Sequence, residues 1–164
     1  MDVTVAVVPR ERFRFLERSL KSLFETIPAD VPVIVVDGGA PNKVLNAIKN
    51  LQKIRPFELI ETHEFVLPNR ARNIALKKVE TKYIAFCDND LEHSPNWLEA
   101  LVESAEKHQA AAVAPTTLIG PTQTPRIHHA GGTLKRVYDD EGRVSLVERH
   151  NFANVPLSEA IENG

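Results

Sequence analysis

Very little in this sequence could hold a chain together except a packed core. One cysteine, Cys87, stands among 164 residues, so a disulfide framework is excluded. A cytosolic protein, or the cytosolic part of a larger one, is the expectation. No apolar run approaches the roughly 20 residues that a membrane helix needs. The start, Met1 to Arg12, lacks the basic-then-apolar layout of a signal peptide. Charge of one sign is missing as well. The 20 Lys and Arg meet 22 Asp and Glu, and a formal net charge of -2 excludes a general nucleic-acid binder. Internal repeats and low-complexity segments are absent. What remains is an ordinary globular balance, 43% hydrophobic and 26% charged, in a chain long enough for one domain with a real core.

The hydrophobic pattern alternates between two kinds of element. Val3 to Val8 is a β-branched apolar run closed by Pro9, as expected of a strand covered on both faces. Phe13, Leu16, Leu20, Leu23 and Phe24 then repeat at three- and four-residue steps and predict a helix. Val33 to Val36 predicts a second strand, stopped by Asp37-Gly38-Gly39. Val44, Ile48, Leu51 and Ile54 predict a second helix that stops before Pro56. Phe57 to Ile60 reads as a strand, residues 62–69 as a loop, Arg70 to Lys78 as a short helix and Tyr83 to Cys87 as a strand ended by Asp88. Ser94-Pro95 opens a helix from about Asn96 to Lys107, and Ala111 to Ala114 reads as a further strand. Strands alternating with helices to about residue 115 imply a mostly parallel sheet with helices on both faces. Beyond it, Thr133 to Tyr138 and Arg143 to Val147 flank a polar turn and predict a hairpin. Asn154 to Gly164 carries little apolar content and reads as a tail that frays or continues into further chain.

In an open α/β sheet, ligands bind beyond the carboxyl ends of the strands. The polar residues there are Pro9-Arg10-Glu11, Asp37-Gly38-Gly39 and Asp88-Asn89-Asp90. Three separate strands deliver them to one edge. Asp88 and Asp90 are two apart, and extended chain points such side chains the same way. Their hard oxygens suit Mg²⁺ or Mn²⁺, ions that commonly hold substrate phosphates; a solvated turn is the bland alternative. Asp37 is either a turn former or an acceptor for a nucleobase or ribose. Arg70 and Arg72 stand near a helix start and suit phosphate; exposed charge is the alternative. His128-His129-Ala130-Gly131-Gly132 reads as a loop able to aim a histidine at a metal or a phosphate, or as a purely structural one. Cys87, inside an apolar strand, reads as core rather than nucleophile.

Val33-Ile34-Val35-Val36-Asp37, Ala71-Arg72-Asn73, Tyr83 to Asp90 and Pro95-Asn96-Trp97-Leu98 occur in the order seen in the family 2 glycosyltransferases. The sequence resembles that family over about residues 3–120, and Ile127 to Thr133 with Glu148-Arg149-His150 extends the likeness to nearly the whole chain. The resemblance implies a GT-A fold: a Rossmann-like three-layer α/β/α sandwich with a mostly parallel sheet, here followed by a C-terminal hairpin. It implies one domain over 1–164, in which 1–120 bind the nucleotide sugar and 121–164 begin the acceptor side. It implies inverting transfer of a sugar from a nucleotide-diphosphate donor, a UDP-sugar first, to an acceptor that the sequence does not identify. Asp37 would bind the base, Arg72 would lie near the nucleotide, Asp88 would contact ribose or diphosphate, and Asp90 would bind Mn²⁺ or Mg²⁺.

Three departures stand against the pattern. Arg10-Glu11-Arg12 replaces the family's Thr-Tyr-Asn, Gly38 stands where a second acid often follows Asp37, and no Glu-Asp pair follows as a general base. The base is therefore expected beyond Gly164, with Glu148 as the weak candidate inside the chain. Two other readings compete. A sugar-phosphate nucleotidyltransferase would want glycines beside Arg10 and Arg12, and a non-catalytic nucleotide-sugar-binding module would need no base.

Overall fold

The computed structural model describes residues 1–9 and 11–163. The chain divides into two compact units, Met1–Val102 and Glu103–Gly164. The first is built on four parallel strands: β1 (Val3–Val8), β2 (Val33–Val36), β3 (Glu58–Ile60) and β4 (Tyr83–Asp88), in the order β3-β2-β1-β4.

Strand alternation sends successive side chains to opposite faces. Val3, Val5 and Val7 of β1 and Val33 and Val35 of β2 join one cluster. They pack with Leu16, Leu20 and Leu23 of helix α1 (Leu16–Thr26), Ile48 of α2 (Asn42–Ile54) and Leu98 at the start of α4 (Trp97–His108). Ala6, Val8, Ile34 and Val36 point the other way. They meet Val66 and the two alanines, Ala71 and Ala75, of α3 (Pro68–Leu76). Both faces are covered, which is why β1 and β2 are apolar without interruption. Leu16, Leu20, Leu23 and Ile48 are at most 1% exposed, and burying each contributes about 1.5–3 kcal/mol. Helix α3 begins at Pro68 rather than Arg70, since proline costs nothing in a first turn whose N–H groups have no helical partner.

The second unit differs in kind. Ala111 to Ala114 is not a strand; the segment is irregular and exposed. Alanine is a weak strand former, and among the described residues no ladder forms along it. The strand comes later, as β5 (Thr117–Ile119), paired antiparallel with β6 (Arg126–His129). The expected hairpin is present as β7 (Gly132–Tyr138) and β8 (Val144–His150). Its turn is fastened by the Asp139 carboxylate, which accepts the backbone N–H of Glu141 at 3.0 Å and of Arg143 at 2.9 Å. Gly142 supplies the positive φ, +77°, that closes it. Among the described residues, the tail is helical rather than irregular. Leu157–Asn163 forms helix α5, entered through Pro156, whose carbonyl accepts the Ala160 N–H at 3.1 Å. Proline preset at the entry and Glu159 in the first turn suit a helix start.

Among the described residues, no helix is long and apolar enough to cross a membrane.

Candidate functional site

The strand order makes β1 the point where the sheet reverses its direction of growth, with β2 on one side and β4 on the other. Crevices for ligands open beyond the carboxyl ends at such a point. Register fixes which residues leave there together. Val8 pairs with Asp88, and Val7 pairs with Val35. Pro9, Asp37 and Asp88 therefore emerge side by side from three adjacent strands. Arg10 lies outside the described residues. Glu11 is exposed.

Asp37 is 2% exposed. Its Oδ1 accepts the Thr62 N–H and the Thr62 hydroxyl, both at 2.8 Å, and the Gly39 N–H at 3.2 Å. The carboxylate thus holds the segment after β3 against the end of β2, a role that Thr62 gave no local sign of. The glycines after it have a steric reason. A Cβ on Gly38 would stand 2.1 Å from the Pro9 ring, and one on Gly39 would stand 2.7 Å from the Glu64 carbonyl oxygen. Their φ values, +60° and +81°, also favour glycine. The second acid that the family often carries after Asp37 would have no room at Gly38 beside this proline.

Asp88 ends β4, and Asn89 and Asp90 form the turn that follows. Burial alternates along this stretch: Cys87 and Asn89 are buried, and Asp88 and Asp90 are partly exposed. Each carboxylate meets a guanidinium from elsewhere in the fold. Arg72 Nη2, on α3, lies 3.4 Å from Asp88 Oδ1, and Arg12 Nη1 lies 3.1 Å from Asp90 Oδ2. Arg12 is 78 residues away in sequence and was not among the expected site residues. Arg70 is not part of this group; it pairs with Glu64 at 3.2 Å. A cavity of about 170 Å³ opens beside Asp90, lined by Arg12, Phe15, Arg18, Ser19, Leu91 and Glu92. Cys87 is core: burial, reinforced by the Asp88 charge, pushes its thiol up to about 12, so it is no nucleophile at neutral pH.

The donor set at this edge fits a hard divalent cation. Asp88 and Asp90 offer carboxylate oxygen, the preferred ligand of Mg²⁺ and Mn²⁺. The Arg12 side chain that pairs with Asp90 is 70% exposed, while that of Asp90 is 17% exposed.

In the second unit, His128 and His129 lie on strand β6 rather than in a loop. Consecutive strand residues face opposite ways, so the two cannot converge on one ligand. His129 instead meets Glu148 and His150 of β8, with one ligand atom from each lying within 4.8 Å of the others.

A mostly parallel sheet that reverses at β1, with helices on both faces and antiparallel hairpins after it, is the architecture of the GT-A fold. The profile of Glycosyl transferase family 2 matches residues 4–154, and the chain belongs to that family. It is similar to the succinoglycan biosynthesis protein ExoM of Rhizobium meliloti (strain 1021), at 29% identity over 140 residues. That match covers 83% of this chain and 41% of the relative. Among solved structures, the mannosyltransferase PcManGT from Pyrobaculum calidifontis, in complex with GDP-Man and Mn²⁺, superposes with a TM-score of 0.58 at 24% identity. It covers 71% of this chain and 34% of that one. S. aureus TarS 1-349 in complex with UDP-GlcNAc gives a TM-score of 0.58 at 17% identity, over 84% of this chain and 40% of its own. The chain therefore spans about two fifths or less of the length of these relatives.

Proposed function

We propose that this chain forms the donor-binding part of a metal-dependent, inverting glycosyltransferase acting on a nucleotide-diphosphate sugar. The observation that carries it is the meeting of Asp88 and Asp90 with Arg72 and Arg12 beyond the point where the sheet reverses. The relatives solved with GDP-Man and Mn²⁺ and with UDP-GlcNAc support the same reading.

In it, Asp37 keeps Oδ1 on Thr62 and Gly39 and turns the rest of its carboxylate toward the base. Arg72 moves from Asp88 to a phosphate oxygen, a contact for which its planar donor fork is suited. Asp88 then accepts from ribose or approaches the diphosphate. Pro9 backs the Gly38 turn, and Asn89, between the two acids, is fully buried. A divalent cation, Mn²⁺ or Mg²⁺, held by Asp90 with Asp88 would neutralise charge on the departing diphosphate. Inversion also needs a base to take the acceptor's proton, a contribution of about 10² to 10⁴ in rate. No residue of this chain is assigned that role. Glu148 lies 3.9 Å from His150 and near His129, and this chain alone is expected to bind donor without appreciable transfer.

Calorimetry with UDP, GDP and dTDP, each with Mn²⁺ and with chelator, tests the site. Tighter binding of one nucleotide in Mn²⁺, lost in Asp90→Ala while the melting temperature holds, is the expected outcome. Equal affinity in metal and chelator would sink the metal-bridged site, and an insoluble or early-melting Asp90→Ala protein would make Asp90 structural.

A further inference from the structure

We propose that His129, Glu148 and His150 form a three-ligand site for a borderline divalent cation of the zinc class, distinct in ligand chemistry from the acidic edge at Asp88 and Asp90. The three residues are brought together by the backbone of β6, its turn and β8. Glu148 and His150 stand two apart on β8 and so share one face of the hairpin. Directly across from His150 on β7 is Gly132, which offers no side chain. None would fit, because a Cβ there would come within 2.3 Å of the Arg149 carbonyl oxygen. Gly131, at φ +71°, makes the turn between β6 and β7, and its carbonyl accepts the Asn151 N–H at 3.0 Å. This turn returns His129 onto the bare flank of His150. The two rings meet edge-on with centroids 5.1 Å apart, and His150 Nε2 lies 3.9 Å from Glu148 Oε1.

Two imidazoles and one carboxylate suit zinc better than Mg²⁺ or Mn²⁺, which prefer oxygen alone. Tetrahedral zinc, at about 2.0–2.2 Å from each ligand, sets neighbouring ligand atoms roughly 3.3–3.6 Å apart. The present spread, within 4.8 Å, closes to that by side-chain rotation on partly exposed residues. Three protein ligands leave a fourth position for water or an anionic oxygen. The hairpin also has reason to gain from a clip. Every residue of β7 and β8 is exposed, and a two-stranded hairpin without a covered face is marginal in water. An ion shared by His129 and β8 would tie β6 to the hairpin.

The test uses the whole chain, stripped with chelator and titrated with Zn²⁺ alone against a chromophoric competitor. Expected are one tightly held zinc per chain and weakening of about tenfold or more in His129→Ala, Glu148→Gln and His150→Gln. His128→Ala should bind zinc as the parent does. In the unaltered protein, the imidazole proton resonances of His129 and His150 should shift with zinc while that of His128 stays. This readout holds even where a variant misfolds. The proposal is overturned if zinc leaves both resonances in place, if stoichiometric zinc is not taken up, or if His129→Ala and His150→Gln bind it undiminished.

Discussion

The sheet of the first unit and the hairpin of the second are both β-structure, yet they are stabilised in different ways. In β1 and β2 every residue is buried, and leucines of α1 close over one face while the alanines of α3 close over the other. In β7 and β8 every residue is exposed, including Leu134, Tyr138 and Leu146. The first region is held by apolar surface removed from water. The second is held by its ladder and its turn, where Asp139 ties down Glu141 and Arg143. An ionisable group in the first must give up its charge or find a partner. In the second it lies exposed, as Asp139 and Arg143 do in their direct pair at 2.8 Å.

The largest test of this contrast compares truncations. Leu20→Ala leaves a cavity beneath a residue that is 0% exposed, and should cost about 2–5 kcal/mol in urea unfolding. Leu146→Ala, on β8, should stay within about 0.5 kcal/mol. Equal costs would break the distinction. A smaller effect is expected from His93. Burial lowers its pKa to about 4, and neither ring nitrogen has a hydrogen-bond partner; the ring packs at 5.0 Å from Trp97. The folded state therefore takes up its proton later than the unfolded chain, whose histidine titrates near 6.5. The stability that follows from the neutral ring is complete above pH 6.5 and is lost as pH falls through 4, a change on the order of 3 kcal/mol. His93→Phe should flatten that part of the pH–stability curve, and identical curves for variant and parent would refute the assignment. The smallest effect is local. Hydrogen bonds from the Arg143 side chain and backbone hold the Asp139 pKa below its ordinary value. The turn is thus fastened at neutral pH and loosens only as pH falls through that lowered value. Asp139→Ala should speed amide exchange at Glu141 and Arg143 and leave the global melting temperature unchanged. A lowered global melting temperature would mean that the hairpin is coupled to a core after all.

Much of the fold could be read along the chain because burial on both faces leaves an unbroken apolar run, and a helix against a sheet leaves a three- and four-residue rhythm. Val3–Val8, Val33–Val36, the α1 leucines and the strand end at Asp88 all carry such signals. The reading went wrong where those signals thin out. Ala111 to Ala114 is apolar without being β-forming, and the strand went to Thr117–Ile119, whose threonine and isoleucine are branched. The tail after Asn154 has few apolar residues, yet Pro156 starts α5 there. His128-His129 carries no sign of its strand other than Ile127 beside it.

The sequence alone determined which acids stand at strand ends, since a strand's length and its stopping residue are local properties. It also determined the family, through the order of short motifs. What the tertiary structure decided is which charges meet. Arg12 reaches Asp90, Arg72 reaches Asp88, Thr62 takes the Asp37 oxygen, and His129 joins Glu148 and His150. Each contact joins residues on different elements. Its distance follows from strand order, register and the turns at Gly38 and Gly131, none of which is written in the spacing of the residues it brings together.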